Sequence, residues 1–239
     1  MLTAGSAAIA LLIGFVPIFV WLAFWLLEDR RHPEPERLIV RAFIGGMVAV
    51  LLVLPLQNLG LKLLPMGFPL ILLWAAIEEA MKLGVAWVLV LRKVAVDEPI
   101  DVPVYLITVA LGFAALENTL FLLSPIGDGQ FVQGFITGNL RFLGATLIHV
   151  LSSAVIGGAI ALAFYREGWA KIRYAVLGVI LAIFLHALFN FSIIKTSADQ
   201  LLTVFAGVWV GITFLLLALE RVKRLKRPEW WRKLFVRRR

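Results

Sequence analysis

Cysteine is absent from all 239 residues. Disulfides, thiolate metal sites and a cysteine nucleophile are therefore excluded, and the redox compartment cannot be read from the chain. Charge is scarce as well: 16% of residues are charged against 62% hydrophobic, far from the balance of a soluble domain. No internal repeat or low-complexity tract is visible, and every connection between apolar runs is too short to hold a soluble domain. The helical HExxH zinc signature is missing, so any metal would have to be held by residues from separate segments. A basic stretch before the first apolar run is also lacking, and "LLEDRRHPEPERL" follows it. That run therefore reads as a retained span rather than a cleaved signal peptide.

What the chain does have is seven long apolar runs, at 5–27, 39–60, 69–91, 104–124, 140–164, 174–195 and 200–220. A helix of about 20 residues, rising 1.5 Å per residue, crosses roughly 30 Å of hydrocarbon. Backbone groups in lipid must be satisfied within the segment, which makes these runs helices. The expected fold class is all-α: a polytopic membrane helix bundle of about seven transmembrane helices. Residues 1–220 form a single transmembrane domain, and 221–239 form a basic amphipathic tail.

Of the 23 Lys and Arg residues, nearly all fall on one side of these spans. Only Lys62 and Lys195 fall on the other side, and Lys82 and Arg141 lie inside spans. The positive-inside rule then puts the C-terminus in the cytoplasm and, with seven crossings, the N-terminus outside. The tail "RVKRLKRPEWWRKLFVRRR" supplies most of the net charge of +8. Its Trp230, Trp231, Leu234 and Phe235 can seat a short helix on a leaflet of anionic lipids. This is a topology and lipid anchor; nucleic acid is not an expected partner.

The remaining question is why ionisable groups sit inside the spans. "WAAIEEAMKLGV" places Glu78, Glu79 and Lys82 in the third. "GFAALENTLF" places Phe113, Glu117 and Asn118 in the fourth, "LIHVLSSAVIGG" places His149 and Ser153 in the fifth, and "FLHALFN" places His186 and Asn190 in the sixth. Four such charges left unpaired in hydrocarbon would cost about 10 kcal/mol, comparable with the stability of a whole domain. They must meet protein or water, and are functional candidates by default. Glu78 and Lys82 are spaced as a same-face pair. Counted from the outer end of each span, Glu78, Glu117, His149 and His186 all lie at roughly 11–15 Å, one layer in which a site could be assembled between helices. Arg141, at the start of its span, is expected to snorkel to the outer surface. Gly45-Gly46 and Gly157-Gly158 read as points of close helix approach, and "SPIGDGQFVQGFITGN", 124–139, as the longest outer loop.

These motifs resemble the PrsW family of intramembrane proteases, part of a larger group with the CAAX prenyl endopeptidases and bacteriocin-processing relatives. "HPEPERL" looks like the family's Pro-Glu-Pro segment, "EEAMK" like EExxK, "FAALEN" like FxxxE followed by Asn, and "HALFN" like HxxxN, with His149 where the family has a histidine. CAAX relatives differ, carrying histidine at the FxxxE position and arginine in place of Lys82. The resemblance implies a protease-like domain in the bacterial cytoplasmic membrane that hydrolyses a peptide bond of a membrane-associated protein. For PrsW itself that protein is an anti-sigma factor, given its first cut.

The candidate catalytic set is Glu78, Glu79, Glu117, His149, His186 and Asn190, supported by Lys82, Phe113 and Asn118. Glu78 is the preferred base to activate water. It shares a face with Lys82, and the first glutamate has that role in the CAAX relatives. Glu79 and Glu117 orient or share protons, and His149 holds the water or shuttles a proton. His186 and Asn190 offer N–H donors for an oxyanion. Metal-free glutamate catalysis is preferred and no metal is assigned; zinc is the alternative, with Glu78, Glu117, His149 and His186 as its ligands. The competing functions are a proton- or ion-coupled transporter using the same Glu/His/Lys groups, and a scaffold in which they only specify packing.

Overall fold

The computed structural model describes residues 3–28, 33–197 and 200–229. Trp230, Trp231, Leu234 and Phe235, on which the amphipathic tail rests, lie outside the described residues, as do Arg30 and Arg31 of the charge count. The described residues are helical, without strands. Helix α1 spans Ala4–Glu28, α2 Glu36–Leu63 and α3 Phe68–Ala86, which runs on through a π turn at Trp87–Leu91. Then come α4 (Asp101–Gly127), α5 (Phe131–Leu140), a second π turn (Arg141–Ala145), α6 (Thr146–Leu162), α7 (Trp169–Lys195) and α8 (Leu201–Lys223).

Helices α5 and α6 are one continuous span of 32 residues, Phe131–Leu162. The bundle thus has seven rods among the described residues, as the apolar runs require. Six are long and apolar enough to cross a membrane; the other is α3, which carries Glu78, Glu79 and Lys82. The long outer loop expected at 124–139 is corrected. Only 128–130 leave the helices, and the chain reverses at Gly129 with φ 77°. The glycines of 131–140 do not break the helix. Phe131, Phe135 and Ile136 are exposed on its outer face, where a membrane leaves the backbone no partner but its own carbonyls.

Helix α4 is the axis of the bundle. Every residue from Asp101 to Ala115 is buried, because α1, α2 and α6 all pack on it, and α3 and α7 pack together beside it. The α2–α4 crossing is set by two opposed glycines. A Cβ on Gly46 would lie 2.0 Å from the Val109 carbonyl oxygen, and one on Gly112 would lie 1.9 Å from that of Phe43. Gly157 likewise meets the Pro103 backbone at 2.5 Å, and Gly45 meets Val85 and Leu89 of α3. Gly158, expected from the sequence to mark a close approach, instead faces open space.

At one end of the bundle Arg227 donates to the Asp97 backbone oxygen at 3.2 Å, to Asp97 Oδ2 at 3.4 Å and to Glu98 Oε1 at 3.2 Å. The segment after α8 is thereby tied to the α3–α4 connection. Arg227 and the α3–α4 connection, with Arg92 and Lys93 just before Asp97, therefore lie at one basic end of the bundle.

Gly112→Val should overpack the α2–α4 crossing at a cost of about 1–3 kcal/mol or more, whereas Gly158→Ala should be neutral. Thermal unfolding of the two variants in detergent, beside the natural chain, measures the difference.

Candidate functional site in the bundle interior

Four helices bring their polar groups to one place. Helix α3 supplies Glu78, Glu79 and Lys82, spaced so that two successive faces of one turn point inward. Helix α4 supplies Phe113, Glu117 and Asn118, α6 supplies His149, and α7 supplies His186. Glu78, Glu79, Lys82, Asn118, His149 and His186 are buried, and the Glu117 side chain is 19% exposed. The two imidazole rings stand perpendicular, with centroids 4.9 Å apart. Phe113 closes one side, its ring 5.2 Å from that of His149 and 5.0 Å from Lys82 Nζ.

The hydrogen bonds assign the tautomers. Lys82 Nζ lies 3.1 Å from His149 Nδ1, and an ammonium can only donate. Nδ1 is therefore an acceptor, and the proton of a neutral His149 is on Nε2, which donates to Glu117 Oε2 at 3.0 Å. His186 Nδ1 faces Glu79 Oε1 at 2.7 Å, so it is the protonated nitrogen and Nε2 keeps its lone pair. Each histidine thus gives one N–H to a carboxylate and turns its other nitrogen toward Glu78. Glu78 Oε2 lies 3.9 Å from His149 Nδ1 and 3.7 Å from His186 Nε2. These distances are too long for hydrogen bonds, and Glu78 Oε2 is buried without any partner. Glu79 Oε2 is in the same position.

Several expectations are corrected by this geometry. Lys82 pairs with Glu79 Oε1 at 2.6 Å rather than with Glu78. Arg141 does not snorkel outward. Its guanidinium, 16% exposed, donates to Asn118 Oδ1 at 2.7 Å and makes an ion pair with Glu117, with Phe121 beneath it at 3.9 Å. Asn118 in turn donates to Thr146 Oγ1 at 3.1 Å. Glu117 leaves the expected ligand set, since it is held on the far nitrogen of His149. Asn190 is half-buried and makes no hydrogen bond to the cluster among the described residues. Ser153 is buried, and its hydroxyl has no partner.

One participant was missed. Gln57 of α2 donates to Glu78 Oε1 at 2.8 Å, and its backbone oxygen accepts the Trp74 indole N–H at 3.1 Å. The available signal was a pair of amides, Gln57 and Asn58, in an apolar span.

Glu78, His149 and His186 each offer one ligand atom, and these three lie within 4.8 Å of one another. Zinc bonds of roughly 2.0–2.2 Å place tetrahedral donors a little over 3 Å apart, so the group is nearly of the right size. Two imidazoles and one carboxylate are also a donor set known for catalytic zinc. Glu79 and Glu117, each accepting the other N–H of a histidine, occupy the places of the carboxylates that orient metal-bound imidazoles. The residues present therefore fit a divalent metal ion.

A helical bundle of membrane-crossing length that buries carboxylates and imidazoles together in its interior suits an intramembrane hydrolase and equally a proton-coupled transporter, and likeness to known proteins separates the two. The chain is matched over residues 34–219 by the model of the "PrsW family intramembrane metalloprotease". It is 30% identical over 230 residues to "Protease PrsW" of Geobacillus kaustophilus (strain HTA426), covering 89% of this chain and 90% of that protein. To "Protease PrsW" of Bacillus subtilis (strain 168) it is 26% identical over 195 residues, 77% of this chain and 82% of that protein. To that of Shouchella clausii (strain KSM-K16) it is 26% identical over 219 residues, 90% and 96%. No solved structure matches. The chain belongs to the PrsW family of intramembrane metalloproteases, and it is a peptidase and an integral membrane protein. This membership weighs against the transporter alternative.

Arg141→Gln should release Glu117 from its fork and loosen the His149 orientation. Outer partners of this kind cost about 10–100-fold when removed, and the rate of substrate cleavage per folded enzyme measures that loss.

Proposed function

We propose that the chain cleaves a membrane-anchored protein at the cluster formed by Glu78, His149 and His186, with a divalent metal such as zinc held by those three residues. The observation that carries the reading is the convergence of their ligand atoms within 4.8 Å around a buried Glu78 Oε2 that no protein donor satisfies. A bound zinc would supply Lewis acidity, activating water and polarising the scissile carbonyl.

The chain's own residues prepare the site. Glu79 and Glu117 fix the two histidine tautomers, so that Nε2 of His186 and Nδ1 of His149 keep lone pairs on the Glu78 side. Gln57 holds Glu78 Oε1 and leaves Oε2 free. Lys82 offsets the negative charge of Glu79. Arg141, itself held by Asn118, holds Glu117 from the other side. Packing of α1, α2 and α6 around α4 limits water to what the site admits, which strengthens each of these interactions.

A second reading is favoured by one contact. The Lys82 ammonium lies on the His149 Nδ1 lone pair, where it competes with a metal for the same atom. In that case Glu78 acts as a metal-free base and the histidines handle protons, the scheme preferred on sequence grounds.

The substrate is taken to be a single-span protein of the anti-sigma type, given its first cut in the bacterial cytoplasmic membrane. The basic end of the bundle is placed in the cytoplasm and the N-terminus outside, on the charge asymmetry. Residues 1–220 act as one protease domain and 221–239 as a basic tail on anionic lipid.

Glu78→Gln should abolish cleavage of candidate single-span substrates by the purified protein while leaving it folded. The metal reading further expects about one zinc per chain by elemental analysis, reduced in His186→Ala, with activity lost to chelator and restored by added zinc. Full activity in chelator with no metal bound would instead select the Glu78 base scheme.

A further inference from the structure

At the basic end of the bundle a cleft of about 330 Å³ opens between the start of α2 and the segment after α3, lined by Pro35, Arg37, Leu38, Arg41 and Lys93. It is remote in sequence from the cluster and has no role in the chemistry above. Three of its five lining residues are cations. Arg37 and Arg41 are one turn apart on α2, and all three are exposed. No carboxylate forms an ion pair with any of them among the described residues.

Their position compounds the charge. The N-terminus of a helix carries roughly half a positive elementary charge, so cations in the first two turns of α2 repel it. Pro35 caps α2 without a side-chain bond. The first N–H groups of the helix, at Glu36 and Arg37, point out of it with no carbonyl to meet. Glu36 is the one acid of this first turn, and two guanidiniums, an ammonium, the helix dipole and the first N–H groups outnumber it, so that together they call for a further anion.

The surface next to the cleft says what carries that anion. From Arg37 and Arg41 the same face of α2 continues through Ile44, Val48 and Leu51, which are 52%, 46% and 56% exposed. Beside Lys93, Val94 is 80% exposed. A charged cleft at the membrane boundary thus leads directly into an apolar strip along the hydrocarbon, the shape of a head group followed by acyl chains. A zwitterionic head group fits poorly, because its ammonium finds no carboxylate among the lining residues.

We propose that this cleft binds one anionic phospholipid, its phosphate held by Arg37, Arg41, Lys93 and the start of α2, and its chains along the Ile44–Leu51 face. This site is separate from the C-terminal tail and requires neither the metal nor the peptidase reading.

The test is native mass spectrometry of the full chain released from bilayers of phosphatidylglycerol and phosphatidylcholine in equal amounts. The natural chain should retain one phosphatidylglycerol at least about tenfold more tightly than phosphatidylcholine. The variant Arg37→Gln/Arg41→Gln/Lys93→Gln should lose that preference, while Arg224→Gln/Lys226→Gln should keep it. Equal retention of the two lipids by the natural chain would overturn the proposal even if the triple variant failed to fold. So would unchanged retention by the triple variant, or displacement of the lipid by millimolar inorganic phosphate, which would mark a site for a soluble anion.

Discussion

The structure depends on one constraint: a charge in hydrocarbon must find its partner inside the protein. Glu78, Glu79, Lys82, Glu117 and Arg141 would together cost more than the fold can supply if they faced lipid. The bundle therefore turns the polar faces of α3, α4, α6 and α7 inward and joins them. Lys82 links Glu79 to His149, His149 links to Glu117, and Glu117 links to Arg141. A chain of alternating donors and acceptors of this kind gives each member at least one partner in a low dielectric. The same chain fixes both histidine tautomers, so the demand of solvation and the preparation of a reactive site are met by the same bonds.

What the network leaves unsatisfied is as informative as what it joins. Buried polar atoms in native proteins almost always have partners, yet Glu78 Oε2 and Glu79 Oε2 have none. The Glu78 atom faces two acceptor nitrogens, of which His149 Nδ1 is already met by the Lys82 ammonium. The surroundings are built to hold it there: Gln57 on its other oxygen, and the opposed glycines Gly46 and Gly112 that let α2 reach α4 closely. An unpartnered oxygen held this firmly is a place for a metal ion or water, and membership of a family of intramembrane metalloproteases is in keeping with it.

The two ends of the bundle differ from this interior in how charge is treated. At the basic end Arg227 is paired with the Asp97 and Glu98 carboxylates, whereas Arg37, Arg41 and Lys93 line a cleft and form no ion pair among the described residues. Neutralised cations fasten the connections together. The unneutralised ones are left exposed.

The sequence by itself determined that the chain is a membrane helix bundle, because apolar runs of spanning length have no other stable form in lipid. It also singled out Glu78, Glu79, Glu117, His149 and His186, since a polar residue in such a run stands out against its neighbours. Spacing along one helix could not say which of them meet. Lys82 is equally placed for Glu78 or Glu79, and it meets Glu79 while Gln57 reaches Glu78 from a helix 21 residues away. Arg141 looked like a surface group until the continuous α5–α6 span carried it inward beside Glu117. Only the tertiary structure decided that Glu117 stands behind His149 instead of beside Glu78. Partners across helices depend on how neighbouring spans are rotated and how closely their glycines let them approach, and no single segment encodes either.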